Sequence, residues 1–152
     1  MSNKRANGSL SWPVTCPTCG KGQILPLARS GRTVRFRNMS SLPVPDDLSI
    51  PTCNSCGTEW IDRPTATALD KALEERYQVR LREAAVADMD TLAALGITQQ
   101  RLERLLGLSQ GYLSKVRSGA SRPSFTLASC LRLLAKDPEH RLREMEDWFH
   151  AA

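Results

Sequence analysis

The hydrophobic pattern divides the chain near residue 63 into a strand-rich first part and a helical second part. Residues 32–37 alternate apolar and polar positions, which predicts a half-buried strand, and segments 42–45 and 48–51 are predicted to be extended. From Thr65 to about Ala87 the chain lacks Pro and Gly and places four apolar residues on one helical stripe: Leu69, Leu73, Tyr77 and Leu81. From Asp88 onward we expect four or five short helices. The pattern predicts an α+β chain that ends in an all-α domain.

The cysteines are the strongest chemical signal in the first part. Four of the five form two Cys-x-x-Cys pairs, each followed by glycine: Cys16, Cys19, Cys53 and Cys56. Two such pairs supply the four soft ligands of a closed tetrahedral Zn²⁺ site, so we predict one structural zinc ion per chain. Two disulfides or a redox pair are the alternatives, but a redox pair is typical of a βαβ context that this pattern lacks.

A small apolar core should surround this zinc. About 50 residues bury too little surface to fold unaided, and metal binding can supply the missing stability. The predicted core residues are Trp12, Ile24, Phe36 and Trp60. The fifth cysteine, Cys130, lies in an apolar helical segment and is predicted to be a buried small hydrophobe.

Residues 97–119 have the pattern of a helix-turn-helix. Thr98 is a good N-cap, Gly107 closes the first helix, and Ser109 is expected to cap the second. Leu113 and Val116 are predicted to face inward, which leaves the opposite face of the second helix for the DNA major groove. The residues predicted to contact DNA are Thr98, Gln99, Ser109, Gln110, Gly111, Tyr112, Ser114, Lys115, Arg117 and Arg122. The alternative is an ordinary helical hairpin.

Charge favours the DNA-binding interpretation. Lys and Arg outnumber Asp and Glu by 21 to 16 over the chain. Residues 97–136 hold seven basic residues against one acid, Glu103, which gives this block a net charge of +6 (7 − 1). A solvated basic face is the alternative, but a basic excess inside a helix-turn-helix pattern indicates a nucleic-acid partner, with Arg101 as a further phosphate ligand.

These motifs resemble two known families. The run Thr98-Gln99-Gln100 through Gly107-Leu108-Ser109-Gln110 to Leu113-Ser114-Lys115-Val116 resembles the phage-repressor or Xre type of helix-turn-helix. Two Cys-x-x-Cys-Gly pairs ahead of such a domain resemble the MqsA (YgiT) family of bacterial antitoxins. That resemblance implies a zinc module that contacts a ribonuclease toxin, and a homodimeric DNA-binding domain that represses the shared operon at a palindromic operator.

The predicted organisation follows from these motifs. We expect a disordered N-terminus at 1–9, a zinc-ribbon-like module at 10–63, a helical connector at 64–87 and a helix-turn-helix domain with C-terminal helices at 88–152. Recurring apolar residues in the last helix predict a dimer interface, or else a cap on the domain's own core: Leu142, Met145, Trp148 and Phe149. Gly111 and Lys115 replace an Asn and an Arg of the antitoxin family, so the preferred bases should differ.

The resulting functional prediction is a sequence-specific transcriptional repressor that is the antitoxin of a toxin–antitoxin pair. A stand-alone zinc-containing regulator from a phage or mobile element is the main alternative, and an adaptor that has lost DNA binding is another. An enzyme is not expected, because both histidines lie in the C-terminal tail and no nucleophile constellation occurs. The sequence shows neither a membrane span nor the apolar region of a secretory signal, so a cytoplasmic location is expected.

Overall fold

The computed structural model describes the backbone of residues 11–151 and the side chains of residues 11–148. Its strands are β1 (Val14–Thr15), β2 (Gln23–Ala28), β3 (Thr33–Phe36), β4 (Met39–Pro43) and β5 (Ser49–Cys53). Its helices are α1 (Arg63–Ala94), α2 (Gln99–Leu105), α3 (Tyr112–Ser118), α4 (Phe125–Lys136) and α5 (Pro138–Ala151). The α+β prediction is confirmed. The chain forms two compact units, residues 1–76 and 77–152, and the predicted disorder at 1–9 lies outside the described residues.

The first unit contains two small antiparallel sheets. Strand β2 pairs with β1 on one side and with β5 on the other, and β3 pairs with β4 in a separate hairpin. The predicted strand at 32–37 and the two extended segments are therefore present. The register that matters for the site is Ile24 opposite Val14 on one side and opposite Cys53 on the other. It places one apolar side chain between strands that lead into the two cysteine pairs.

Helix α1 is longer than the sequence pattern predicts. Asp62 accepts a hydrogen bond from the Thr65 amide at 2.9 Å and so starts the helix close to the predicted position. The predicted end near Ala87 is wrong, because no Gly or Pro interrupts the chain before Gly96 and the helix continues to Ala94. Three of the four stripe residues are buried: Leu73, Tyr77 and Leu81.

The second unit has one apolar core to which the end of α1 and all four shorter helices contribute. Ala85, Met89 and Leu92 of α1 are buried together with residues from the helix-turn-helix and from α4 and α5: Leu102, Leu105, Leu113, Val116, Leu127, Leu131, Leu134 and Leu142. Burying this set of aliphatic side chains stabilises the unit by about 1.5–3 kcal/mol per side chain, before conformational entropy is subtracted. The core fixes how α2 and α3 pack against each other.

The length and apolar character of the helices also bear on membrane insertion. Across residues 11–151, none of the five combines the length and the apolar character that crossing a membrane requires. The longest, α1, is rich in charged residues along its exposed faces.

Candidate metal centre and nucleic-acid interface

The two cysteine pairs meet in one cluster in the first unit. The sulfur atoms of Cys16, Cys19, Cys53 and Cys56 all lie within 4.8 Å of one another. The Cys16–Cys56 sulfurs are 3.7 Å apart and the Cys19–Cys53 sulfurs 3.8 Å apart. Tetrahedral zinc with Zn–S bonds of about 2.3 Å requires sulfurs about 3.8 Å apart, so the cluster has the dimensions of a four-thiolate metal site. All four cysteines are free thiols, and no disulfide links them.

Each cysteine pair is held by a tight turn. The Gly20 amide bonds the Cys16 carbonyl at 2.9 Å, and the Gly57 amide bonds the Cys53 carbonyl at 3.0 Å. Both glycines have positive φ, as the sequence pattern predicts. Backbone amides also donate to the sulfurs, with Gly22 N 3.4 Å from Cys19 Sγ and Ser55 N 3.4 Å from Cys53 Sγ. Such N–H···S contacts favour the thiolate, which is the form that binds metal.

Hydrogen bonds to Cys56, the exposed cysteine of the second pair, favour the thiolate form that binds metal. Hydrogen bonds from the Thr58 side chain and then its backbone lower the pKa of Cys56 to about 6. Backbone hydrogen bonds from Gly22 and Lys21 lower the pKa of the Cys19 thiol as well. At neutral pH the Cys56 sulfur is therefore biased toward the charged form that a divalent cation requires.

Asn54 and Gly22, which the sequence analysis did not identify, hold the two cysteine turns together. The Asn54 amide donates to the Gln23 carbonyl at 3.0 Å, and the Gln23 amide donates back to Asn54 Oδ1 at 3.0 Å. A Cβ on Gly22 would lie 2.5 Å from Cys53 Sγ, so this position requires glycine for lack of space. The sequence does indicate that Gly22 is constrained. In the motif Cys19-Gly20-Lys21-Gly22, Gly20 completes the turn, so the second glycine must have another reason.

The predicted core around the metal is only partly correct. Ile24 is buried with Cys16 and Cys53, and Trp12 packs against them. Trp60 is 38% exposed, and Phe36 lies in the separate β3–β4 hairpin, so neither belongs to this cluster. The reason is that Trp60 follows an isolated bridge at the outer edge of β5.

A buried arginine contributes to the rest of the first unit. Arg32 donates to the Leu27 carbonyl at 3.0 Å and to the Thr52 hydroxyl at 3.3 Å, and its Nε is 3.3 Å from Glu59 Oε1. That Nε contact is an ion pair by distance and not a hydrogen bond. Arg32 thereby links the end of β2, strand β5 and the segment after it. The alternation of apolar and polar residues at 32–37 predicts only an ordinary polar strand position for Arg32.

The helix-turn-helix prediction is confirmed in outline and corrected in one detail. Thr98 caps α2, with its hydroxyl accepting from the Arg101 amide at 3.2 Å. The predicted cap of α3 by Ser109 is wrong, because the helix starts at Tyr112 and the residue before it is Gly111 with φ of 79°. The amides at the start of α3 are instead bonded by Glu103 of α2. Gln110 and Gly111 therefore lie in the turn before α3.

Most of the residues predicted to contact DNA are on the surface of the second unit. Leu113 and Val116 are fully buried, which leaves the opposite face of α3 exposed. The exposed members of the predicted set are Thr98, Ser109, Gln110, Ser114, Lys115, Arg117 and Arg122, and the half-buried ones are Gln99, Gly111 and Tyr112. Their contacts with DNA stay a prediction.

Tyr112 has a visible structural role. Its ring packs against the apolar core, and its hydroxyl donates to the Arg122 carbonyl at 3.2 Å. This bond ties the start of α3 to the loop before α4. Tyr112 thus holds the backbone next to Arg122 in place.

Three basic residues of this block are engaged in ion pairs within the second unit. Arg117 pairs with Asp90 at 2.6 Å and Arg101 with Glu146 at 2.6 Å. The third pair joins Arg132 to the buried carboxylate of Asp88 at 3.0 Å. Sequence counting could not reveal these pairs, because their acids come from α1 and α5, outside the basic block.

The recurring apolar residues predicted in the last helix differ in their burial. Leu142 is buried in the core and Met145 packs against it, while Trp148 is 68% exposed. The side chain of Phe149 lies outside the described residues. Cys130 was predicted to be a buried small hydrophobe and is only half-buried, because α4 turns Leu127, Leu131 and Leu134 toward the core.

Comparison with known protein families supports the helix-turn-helix prediction for the second unit. A helix-turn-helix family model matches residues 90–129, which run from the end of α1 into α4. None of the curated proteins matches the chain. The matched region is a helix-turn-helix domain, and the protein is a DNA-binding transcription regulator. The resemblance to the MqsA family stays a prediction.

Proposed function

We propose that this protein is a sequence-specific transcriptional repressor whose helix α3 contacts bases in the major groove. The observation that carries the proposal is the two-sided character of α3. Leu113 and Val116 are completely buried, and Ser114 and Lys115 are exposed on the opposite face, next to the exposed Gln110. A helix anchored on one side and polar on the other is the form that enters a major groove.

The exposed residues have separate proposed roles. Lys115 suits the O6 and N7 acceptors of guanine, and Gln110 suits the bidentate pattern of adenine. Arg122 and Arg104, which are both exposed, suit backbone phosphates. The proposed function includes no catalytic step.

The test of this proposal is selection of duplexes from a random pool by the full-length protein. Affinity for the recovered duplex is then compared with affinity for a scrambled duplex of the same composition at one fixed salt concentration. A specific regulator prefers the selected duplex by about 1,000-fold or more. Equal affinity for the two duplexes would refute sequence-specific binding and favour the adaptor alternative.

A homodimer is part of the proposal. Trp148 is 68% exposed on α5, and a large exposed aromatic residue on the same helix as Met145, which packs against the core, supports a contact between two copies through this helix. A symmetric dimer places two α3 helices about 34 Å apart, one helical turn of DNA. Sedimentation equilibrium at micromolar concentration is the measurement, and a monomer there would refute it.

We further propose that the four-cysteine cluster holds a structural Zn²⁺ ion. The sulfur separations of 3.7 and 3.8 Å and the all-thiolate ligand set support zinc and leave no open position for catalysis. When bound, the ion supplies cross-linking of the two turns. Metal analysis of the purified protein should give one zinc per chain. Cys53→Ser should abolish it and unfold residues 10–62 while the amide spectrum of residues 77–148 persists.

A specific observation favours a protein partner for the first unit, which is the antitoxin form of the proposal. Four large apolar side chains of this small unit are exposed by 37–53%: Leu25, Leu27, Trp60 and Ile61. Leu25 and Leu27 are alternate residues of β2 and therefore lie on one face of its sheet, and an exposed apolar face supports a protein-binding surface. The experiment is a tagged pull-down from the native host with the wild type and with an Ile61→Ser, Leu27→Ser variant.

The pull-down separates the two regulator forms. A small basic protein recovered in near-stoichiometric amount with the wild type, and lost with the variant, would support a ribonuclease toxin as partner. Recovery of the chain alone, from cells that express its neighbouring genes, would favour a stand-alone regulator of the phage or mobile-element type.

A further inference from the structure

We infer that Glu103 is a positioning residue for DNA recognition: its carboxylate fixes the start of α3 and thereby sets where Gln110, Ser114 and Lys115 meet the bases. This inference rests on the proposed function. Glu103 is the single acid between residues 97 and 136 and belongs to α2, yet it is only 4% exposed. A buried carboxylate requires compensation, and both partners of this one are amides at the start of α3, those of Gly111 and Leu113.

The contacts of Glu103 span the whole turn. Its carbonyl accepts from the Leu108 amide at 2.8 Å. Its carboxylate accepts from the Gly111 amide through Oε2 and from the Leu113 amide through Oε1, both at 2.9 Å. One residue therefore satisfies three amides, of which one belongs to the N-cap residue Gly111 and one, that of Leu113, to the first turn of a helix of only seven residues.

The residue before α3 has no side chain that could cap the helix. Gly111 precedes the helix with φ of 79° and has no side chain that could bond the amides. Glycine is also the residue with the most backbone freedom to lose. Without the carboxylate, the Gly111 and Leu113 amides would be left unsatisfied, and the turn that carries Gln110 would be held only by Tyr112 and its neighbours.

The geometry also has an electrostatic consequence. The carboxylate occupies the positive end of α3 from the protein side, and its charge is shielded from solvent by the packed core. The start of α3 is thus compensated internally and is not available to a DNA phosphate. Phosphate binding then depends on exposed basic side chains, and α3 is left to discriminate bases.

The test replaces Glu103 by Gln in the full chain. Glutamine keeps the shape and one acceptor but presents an NH₂ group to the second amide, which sets a donor against a donor. Glu139→Gln is the matched control, because it makes the same charge change at an exposed position on α5. Affinities are measured for the duplex selected by the wild type and for a scrambled duplex at one salt concentration.

We expect E103Q to lower the affinity for the selected duplex by about 10-fold while affinity for the scrambled duplex changes by less than about 2-fold. The control should leave the ratio of the two affinities unchanged. A purely structural role would reduce both affinities together through the unfolded fraction. An unchanged ratio in E103Q would therefore overturn the inference.

A measurement on the wild type keeps the inference testable if E103Q does not fold. Hydrogen exchange should be slow at the Gly111 and Leu113 amides and should approach that of the core helices. Exchange at the rate of an unstructured peptide would refute the contact itself. If the wild type selects no duplex, the proposed function fails and with it the recognition role, while slow exchange would still establish the capping contact.

Discussion

Replacing Gly22 by Ala tests the geometry of the metal centre with the smallest possible change. The added methyl group would lie 2.5 Å from Cys53 Sγ, 2.6 Å from Ser55 Cβ and 2.9 Å from Asn54 Oδ1. All three belong to the second cysteine turn, and none is the end of a long flexible side chain. The turn that carries Cys53 must therefore move away from the turn that carries Cys19.

The size of this movement decides the outcome. Ordinary van der Waals contact begins near 3.4 Å, so the sulfur must retreat by about 0.9 Å (3.4 − 2.5). A metal–ligand distance tolerates only about 0.2 Å. The four sulfurs then cannot keep the tetrahedral spacing, and we expect zinc affinity to fall by about 100-fold, which corresponds to about 2.7 kcal/mol.

Competition with a chromogenic zinc chelator measures this loss, and the amide spectrum of residues 11–62 reports whether the first unit stays folded. Gly31→Ala is the matched control, because Gly31 belongs to the same unit, has φ of 76° and has no atom within 4 Å of an added Cβ. It should cost about 1–2 kcal/mol of backbone strain, so zinc affinity should fall by no more than the roughly 5- to 30-fold that this strain accounts for. Zinc affinity of Gly22→Ala within about threefold of the wild type would refute the argument from close approach.

Three further predictions concern side chains on the surface. Lys115→Ala should weaken binding to the selected duplex by about 1–3 kcal/mol, and an unchanged ratio of selected to scrambled affinity would exclude a base contact. Asp90→Asn should release Arg117 and steepen the plot of log affinity against log salt by about one unit, whereas an unchanged slope would mean that Arg117 does not meet a phosphate. Hydrogen bonds from the Thr65 side chain and backbone lower the pKa of Asp62, so its capping contribution should be complete above about pH 4 and be lost as the pH falls through the lowered folded value. Carboxyl titration followed by NMR checks this, and an Asp62 pKa at or above the ordinary carboxyl value would contradict it.

The fold class and the four-cysteine cluster were predictable because each depends on local spacing. Two intervening residues are enough to bring a pair of sulfurs together, and Thr98 is enough to start α2. The end of α1 was not predictable from periodicity, since the stripe continues without a breaker past Ala87. Boundaries require a stop signal, and the first one in this segment is Gly96.

The features that sequence reasoning missed are contacts across long separations. Gly22 is constrained by Asn54 and Cys53, and Arg32 is buried by Thr52 and Glu59. A spacing rule cannot identify such partners, because both members have ordinary local patterns. Trp60 shows the converse, since its size predicts burial but its place beyond β5 leaves it 38% exposed.

The basic block shows why a charge count overstates a DNA-binding surface. Seven basic residues lie between 97 and 136, but Arg101, Arg117 and Arg132 are paired with acids from α5 and α1. Four remain without an ion pair among the described residues: Arg104, Lys115, Arg122 and Lys136. Each phosphate contact contributes about −0.9 to the salt slope, so four contacts per chain correspond to about −3.6, against about −6.3 for all seven. The ion pairs therefore restrict non-specific attraction, and specificity depends more heavily on the geometry with which Glu103 holds α3.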